Sequence, residues 1–134
     1  MIVAGPSDAP NNSPLGYVTV AYNAATGARV WTRRTLGFPG GYPLWAQTLA
    51  ISPDSSTVYV TGVNAVQCCD TDYATVAYSI ATGAKQWLRT YNGPGNKADW
   101  AIALALSPDG RTLYVTGTYS QVTYGGIATI AYCA

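Results

Sequence analysis

Short runs of apolar and β-branched residues, separated by turn-forming residues, recur along the whole chain. Residues 45–91 contain four such runs in succession, which is the pattern of four short strands. We expect these strands at Ala46–Ile51, Thr57–Gly62, Tyr73–Ile80 and Lys85–Tyr91. No segment repeats its apolar residues with the period of a helix, so the pattern predicts regular structure that is entirely β.

Both faces of the third predicted strand are uncharged. One face carries Tyr73, Thr75 and Ala77, and the other carries Ala74, Val76 and Tyr78. A sheet with one face in water alternates more sharply between apolar and polar residues. We therefore expect the sheet formed by residues 45–91 to be buried on both faces, between two neighbouring sheets.

The strand pattern is part of an internal repeat of about 55 residues. The segment Tyr17–Tyr22 returns as Tyr73–Tyr78 and as Ile127–Tyr132, with steps of 56 residues (22 to 78) and 54 residues (78 to 132). Other landmarks keep the same spacing: Thr26-Gly27 and Thr82-Gly83, Trp31 and Trp87, Trp45 and Trp100, Ser52–Asp54 and Ser107–Asp109, Ile2–Gly5 with Tyr59–Gly62 and Tyr114–Gly117.

Turn chemistry separates the strands inside each unit. Ser107–Gly110 suits a type I turn, and Gly83 stands where a positive φ is expected between two strands. Radially arranged units of four strands are β-propellers, whereas solenoids of β-coils have shorter periods and rank second. We predict an all-β partial propeller of about two and a half four-stranded antiparallel blades: a partial blade at 1–44, a full blade at 45–91 and a partial blade at 92–134.

About ten predicted strands are too few for a ring, since closed propellers have roughly four to eight blades. The first unit lacks its innermost strand and the last lacks its outermost. The open end faces would carry Val18, Val20, Ile127 and Ile130. We expect either self-association, for instance two chains forming a six-bladed ring, or a truncated piece of a longer protein, and we favour the truncated piece.

Three motifs resemble the bacterial seven-bladed β-propeller repeats of the SBBP or YVTN type: Asp72–Tyr78, Thr90–Asn96 and Leu106–Gly117. The resemblance implies a scaffold in secreted or surface proteins. A weaker resemblance links Ala25–Trp31 and Ala81–Trp87 to the blades of quinoprotein dehydrogenases, in which the tryptophan docks between blades. That motif implies a fold and not a quinone cofactor.

The composition excludes several kinds of catalysis. The chain has no His and no Glu, which removes Ser-His-Asp and Cys-His catalysis and imidazole-based zinc sites. Seven Lys and Arg against six Asp give a net charge of +1 without a basic stripe, so no nucleic-acid partner is expected. We assign no catalytic, cofactor-binding or metal-binding residue and expect no cofactor.

The cysteines and the N-terminus leave the compartment open. A bridge from Cys68 or Cys69 to Cys133 and three free thiols are both compatible with the odd count. Residues 1–6 lack the features of a signal peptide, and no apolar run is long enough to cross a membrane. The chain is therefore expected to be soluble, with an extracellular or cell-surface location implied by the family resemblance alone.

Candidate ligand-binding residues each have a structural alternative that the repeat favours. Trp31, Trp45, Trp87 and Trp100 would either stack on a sugar or quinone or, as we favour, pack between blades. Asp54 and Asp109 would bind a cation or, more simply, cap their own turns. Asp70 and Asp72, beside Cys68 and Cys69, would hold a metal or be solvated in a loop.

The loops suggest where ligands would bind. Residues 92–99 and their counterpart 36–43 differ in sequence although the strands agree, which is typical of binding loops on a fixed scaffold. We predict a non-catalytic scaffold whose partners are further blades, a second copy, or a protein or glycan ligand. The alternative is a fragment of a propeller enzyme of the quinoprotein dehydrogenase or lactonase kind, which the absence of His and Glu disfavours.

Overall fold

The computed structural model describes residues 1–7, 16–36, 45–67 and 70–134. These residues form ten strands: β1 (Ile2–Ser7), β2 (Gly16–Tyr22), β3 (Arg29–Leu36), β4 (Ala46–Ile51), β5 (Thr57–Gln67), β6 (Asp70–Ser79), β7 (Lys85–Tyr91), β8 (Trp100–Leu106), β9 (Thr112–Ser120) and β10 (Gly125–Cys133). Within the described part of the chain there is no helix, so the prediction of an all-β chain is confirmed.

The strands form three antiparallel sheets in chain order. The first sheet contains β1, β2 and β3, the central sheet β4 to β7, and the third sheet β8, β9 and β10. Within each sheet, every strand pairs with its neighbours in sequence, so each sheet is a simple meander. The predicted strands β4 and β7 have the observed bounds.

Glycine at the predicted positions makes the tight turns. Gly27 and Gly83 have φ of 70° and 68°, a conformation that costs other residues energy because of the Cβ atom. In the turn after β8, the Gly110 amide donates to the Ser107 carbonyl at 2.8 Å, and Gly110 has φ 70°. Ser55 takes the same place in the turn after β4 and also has a positive φ of 59°.

The bulges of the sheets recur at equivalent places. The pairing shifts between Ala21 and Tyr22 and again between Ala77 and Tyr78. It also shifts where β4 and β8 begin, after Ala46 and after Ala101. The repeat therefore extends to these irregularities: the first and central sheets share one of them, and the central and third sheets share the other.

The predicted bounds of the second and third strands of the central sheet are too short. β5 continues to Gln67 and β6 starts at Asp70, so the two strands form a long hairpin that projects beyond the rest of the sheet. Asp70 and Asp72, expected in a solvated loop, are half-buried residues of β6. Paired strands form here because the backbone groups of both segments bond across the hairpin.

The central sheet is covered on both faces, as its two apolar faces predicted. The core of the first interface, between the first and central sheets, contains Tyr17, Ala21, Trp31, Val58, Val60, Val76 and Tyr78. The core of the second interface, between the central and third sheets, contains Tyr59, Tyr73, Ala77, Ala101, Leu113 and Val115. Alternate residues of β5 and β6 thus point to opposite neighbours, as strand geometry requires.

The two interfaces use equivalent contacts. The Tyr17 hydroxyl reaches the carbonyl of Ala74 in the next sheet at 3.5 Å, and the Tyr73 hydroxyl reaches that of Ala128 at 3.5 Å. Tyr73 lies 56 residues after Tyr17, and Ala128 lies 54 residues after Ala74. The sheets therefore stack by repeating one interface.

The outer faces of the first and third sheets are exposed. Ile127 is 78% exposed and Val3 is 47% exposed, while Val18 and Val20 are half-buried. The expectation that Ile130 lies on an open face is wrong, because Ile130 packs against the core of the second interface. The side chains of β10 alternate between its two faces, so Ile127, which is three residues away, points to the other one.

Candidate functional site

Trp31 closes one end of the first interface. Its indole nitrogen donates to the Ile80 carbonyl at 2.7 Å, and its ring packs against Gly83, where a Cβ atom would come within 2.7 Å of Trp31 Cδ2. Arg33 donates from Nε to the Gly83 carbonyl at 2.7 Å and from its terminal nitrogen to the Thr82 carbonyl at 3.1 Å. The hairpin 80–84 thus covers the tryptophan of the preceding sheet.

At the equivalent place in the second interface lies an open groove of about 520 Å³. Its wall is formed by Trp87, which corresponds to Trp31, and by Tyr59, whose ring centroid lies 5.8 Å from that of Trp87. The centroid of the Tyr132 ring lies 6.1 Å from that of Trp87. Arg89, which corresponds to Arg33, lies over the Trp87 ring at 5.6 Å and over the Tyr132 ring at 5.8 Å from the centroid.

Two acidic turns form the polar side of the groove. Asp54 accepts hydrogen bonds from the hydroxyls of Ser52 and Ser56 at 2.5 and 2.9 Å and from the Ser56 amide at 3.0 Å. Asp109 accepts from the Ser107 hydroxyl at 2.5 Å and the Arg111 amide at 3.1 Å. The predicted turn-capping role of both aspartates is confirmed.

These hydrogen bonds also set the charge of the groove. The Ser52 hydroxyl, together with the amide and hydroxyl of Ser56, lowers the pKa of Asp54 below its ordinary value. The Ser107 hydroxyl and the Arg111 amide lower that of Asp109. The groove therefore combines the aromatic faces of Trp87 and Tyr59 with two ionised carboxylates, a set of groups suited to peptide or sugar ligands.

The four tryptophans divide into two pairs. Trp31 is 6% exposed and Trp87 is half-buried, and both pack between sheets as predicted. Trp45 and Trp100 are 47% and 49% exposed, so the prediction that they also pack between sheets is wrong. Trp45 directly precedes β4 and Trp100 begins β8, the first strands of the central and third sheets.

A buried carboxylate organises the loop 92–99 at the opposite end of the strands. Asp99 is fully buried, accepts from the Ser120 amide at 3.2 Å and from the Gly93 amide, and donates its own amide to the Thr71 carbonyl at 2.6 Å. Burial, helped by the charges of Asp99 and Asp70, raises the pKa of Asp72. Nothing in the sequence marks Asp99 for this role, because a single Asp before a strand is ordinary.

No metal centre forms in the described part of the chain, where no three His, Cys, Asp or Glu residues cluster. Cys68 and Cys69 lie outside the described residues, so the metal site and the disulfide considered for them stay predictions. Cys133 is exposed at the end of β10. Residues 37–43 of the loop paired with 92–99 also lie outside the described residues. Within the described parts of the chain, no helix is long and apolar enough to cross a membrane.

No family model, curated protein or solved structure matches this chain.

Proposed function

We propose that this chain is a non-catalytic β-propeller repeat module that serves as a structural or binding scaffold, with each sheet as one blade. The observation that carries the proposal is the repetition of one interface, in which Tyr17 and Tyr73 make the same contact one unit apart. Units that each contact only their neighbours through a repeated interface are typical of scaffolds built by duplication.

Binding would use the ends of the sheets. The groove beside Trp87 offers aromatic and charged groups, and the loop 92–99 is held in shape by Asp99. A protein segment or a glycan fits this chemistry. The resemblance of Asp72–Tyr78 and Leu106–Gly117 to bacterial propeller repeats supports a place in a larger secreted or surface protein.

Insertion of one more unit tests the scaffold. A second copy of residues 45–99 placed after Asp99 creates a junction of Asp99 with Trp45, where the native chain joins Asp99 to Trp100. Because the new sheet packs between two neighbours and adds one repeated interface to the stack, we expect cooperative unfolding and a denaturant m-value about two fifths larger, since 55 residues join 134.

A matched insertion provides the control. The same copy with Val60→Asp and Val76→Asp, two fully buried residues that face the preceding sheet, should lose the gain. An unmodified insertion that leaves the m-value unchanged contradicts the scaffold. Turnover of a lactone, or dye reduction with quinone and calcium above background, by the purified chain would contradict the non-catalytic assignment.

A further inference from the structure

The outer edge of the third sheet is an uncharged strand that pairs on one side only with the strands the structure describes. β10 pairs with β9 and contains neither a charged residue nor a proline. The equivalent strands β2 and β6 are each covered on this side, by β3 and β7. Strand edges without charge or proline are templates for pairing with another strand.

The direction of the backbone groups of β10 follows from the repeat. The Ala134 amide donates to Arg111 at 2.9 Å, just as the Ile80 amide donates to Ser56 at 2.8 Å. The Ser79 amide donates in the opposite direction, to the Ala84 carbonyl at 2.9 Å. The backbone amides of successive residues in a strand point to opposite edges. Because the Ala134 amide points toward β9, the amides of Cys133, Ala131, Thr129 and Ile127 face away from β9.

The strands that cover this edge elsewhere share a pattern. In β3 and β7 a tryptophan is followed two residues later by an arginine, and Trp31 and Trp87 stand opposite Ala21 and Ala77. The position of β10 that corresponds to these alanines is Ala131. A strand of this pattern, antiparallel to β10, would therefore place its tryptophan opposite Ala131.

The groove beside Trp87 supplies a second, independent requirement. In the first interface, Trp31 and Arg33 contact the Thr82-Gly83 turn that precedes β7, through the Gly83 ring contact and two carbonyl groups. Trp87 and Arg89 hold the same places in the second interface, but there Trp87 borders the open groove. A Thr-Gly turn placed there would give the Arg89 guanidinium the two carbonyl acceptors that Arg33 has.

We propose that the outer edge of β10 and the Trp87 groove together form an acceptor site for an extended peptide segment in which a Thr-Gly turn precedes a strand of the Trp-x-Arg pattern. The strand adds to the third sheet through main-chain hydrogen bonds, and the turn covers Trp87. Strand addition of this kind takes its affinity from the backbone and its specificity from side-chain positions. The proposal does not depend on whether the sheets are part of a ring.

A fluorescently labelled synthetic peptide with the sequence of residues 81–91 tests the site against the full chain. We expect saturable binding measured by anisotropy. Two altered peptides define the recognition. Trp87→Ala in the peptide, with the protein unchanged, removes the aromatic anchor and should weaken binding at least about tenfold. Gly83→Ala adds a Cβ atom that would collide with the Trp87 ring of the protein, as the equivalent atom would collide with Trp31, and should weaken binding similarly.

Two protein variants locate the peptide. Ala131→Pro removes one outward-facing amide of β10, and Ala131→Ser keeps it. Proline is tolerated at such a solvent-facing edge position, so the fold should survive. We expect Ala131→Pro to weaken binding about tenfold or more and Ala131→Ser to leave it within about twofold.

Amide hydrogen exchange on the unmodified chain gives a readout that does not depend on any variant. The peptide should slow exchange at Ile127, Thr129 and Ala131, the amides that face away from β9. Absence of binding overturns the proposal. So does binding that Ala131→Pro leaves unchanged, or protection confined to another edge such as that of β3 or β7.

Discussion

A missing hydroxyl in β1 leaves a buried polar group without a partner. In the central sheet Thr61 stands opposite Thr75, and their hydroxyls bond at 2.9 Å. In the third sheet Thr116 and Thr129 do the same at 2.9 Å. In the first sheet Ala4 stands opposite Thr19, whose fully buried hydroxyl has no hydrogen-bond partner among the described residues.

Ala4→Thr should therefore stabilise the chain. It would restore the hydroxyl pair of the other two sheets at a position where the backbone pairing is already the same. A hydrogen bond contributes about 1 kcal/mol net, and an unsatisfied buried hydroxyl costs about 1–3 kcal/mol. We expect the free energy of unfolding to rise by about 1–2 kcal/mol, and Tm to rise by about 4 °C per kcal/mol for a chain of this length.

Urea unfolding at one fixed protein concentration measures this effect, and a double-mutant cycle isolates its cause. Thr19→Val also removes the unpaired hydroxyl and should stabilise by itself. Because both changes correct the same defect, their effects should fall short of additivity by about 1 kcal/mol. In the opposite direction, Thr61→Ala should leave Thr75 without its hydroxyl partner and destabilise the chain. Destabilisation by Ala4→Thr, or additive effects in the cycle, would refute the argument.

Two further predictions follow from burial. Trp31→Ala should destabilise by about 3–5 kcal/mol, because Trp31 is buried and hydrogen-bonded, whereas Trp87→Ala should cost clearly less because Trp87 borders an open groove; equal shifts in thermal melts would contradict this. Burial, together with the charge of Asp99, raises the pKa of Tyr73 to about 12. A tyrosine in the unfolded chain ionises at about pH 10, so above this pH the unfolded state loses a proton that the folded state keeps. The free energy of unfolding should therefore fall as pH rises from 10 to 12, and it should fall less steeply in Tyr73→Phe.

The sequence predicts the strands best where turn residues mark both ends. The Ser-Pro-Asp and Thr-Gly turns end β4 and begin β7, and both strands have their predicted bounds. The hairpin of β5 and β6 has no such punctuation on its far side, and its residues Asn64, Asp70 and Asp72 resemble a loop. Cross-strand pairing extends both strands there, which local composition does not reveal.

The candidate site depends on differences between equivalent positions, which the repeat pattern tends to hide. Matching the repeat units gives Trp31 and Trp87 the same role, yet Trp31 is covered by the hairpin 80–84 and Trp87 borders a groove. The partner of the buried Asp99 carboxylate is the Ser120 amide, 21 residues away in sequence. Such a contact depends on how β8 and β9 pair and leaves no local signature.

The repeat also predicts how the two exposed outer faces pair with each other. The outer face of the third sheet carries Tyr114 and Ile127, which correspond to Tyr59 and Tyr73 on the face that the central sheet turns to the third sheet. The outer face of the first sheet carries Val3, which corresponds to Val60. The two outer faces therefore repeat the two sides of an interface that the chain already forms twice.

A head-to-tail contact between copies should follow, in which the third sheet of one copy covers the first sheet of another. Light scattering should show masses above 14.1 kDa at micromolar concentrations. Val3→Asp and Ile127→Asp each block one of the two faces, so each variant alone should be monomeric. In their equimolar mixture, the third sheet of the Val3→Asp variant can still cover the first sheet of the Ile127→Asp variant, so a 1:1 dimer should form. A face that paired with a copy of itself would instead let one of the variants dimerise alone. Val122→Asp removes an 84% exposed apolar residue outside both faces and should leave the association unchanged.

A monomeric unmodified chain, or a mixture that stays monomeric while the unmodified chain associates, would show that these faces do not pair.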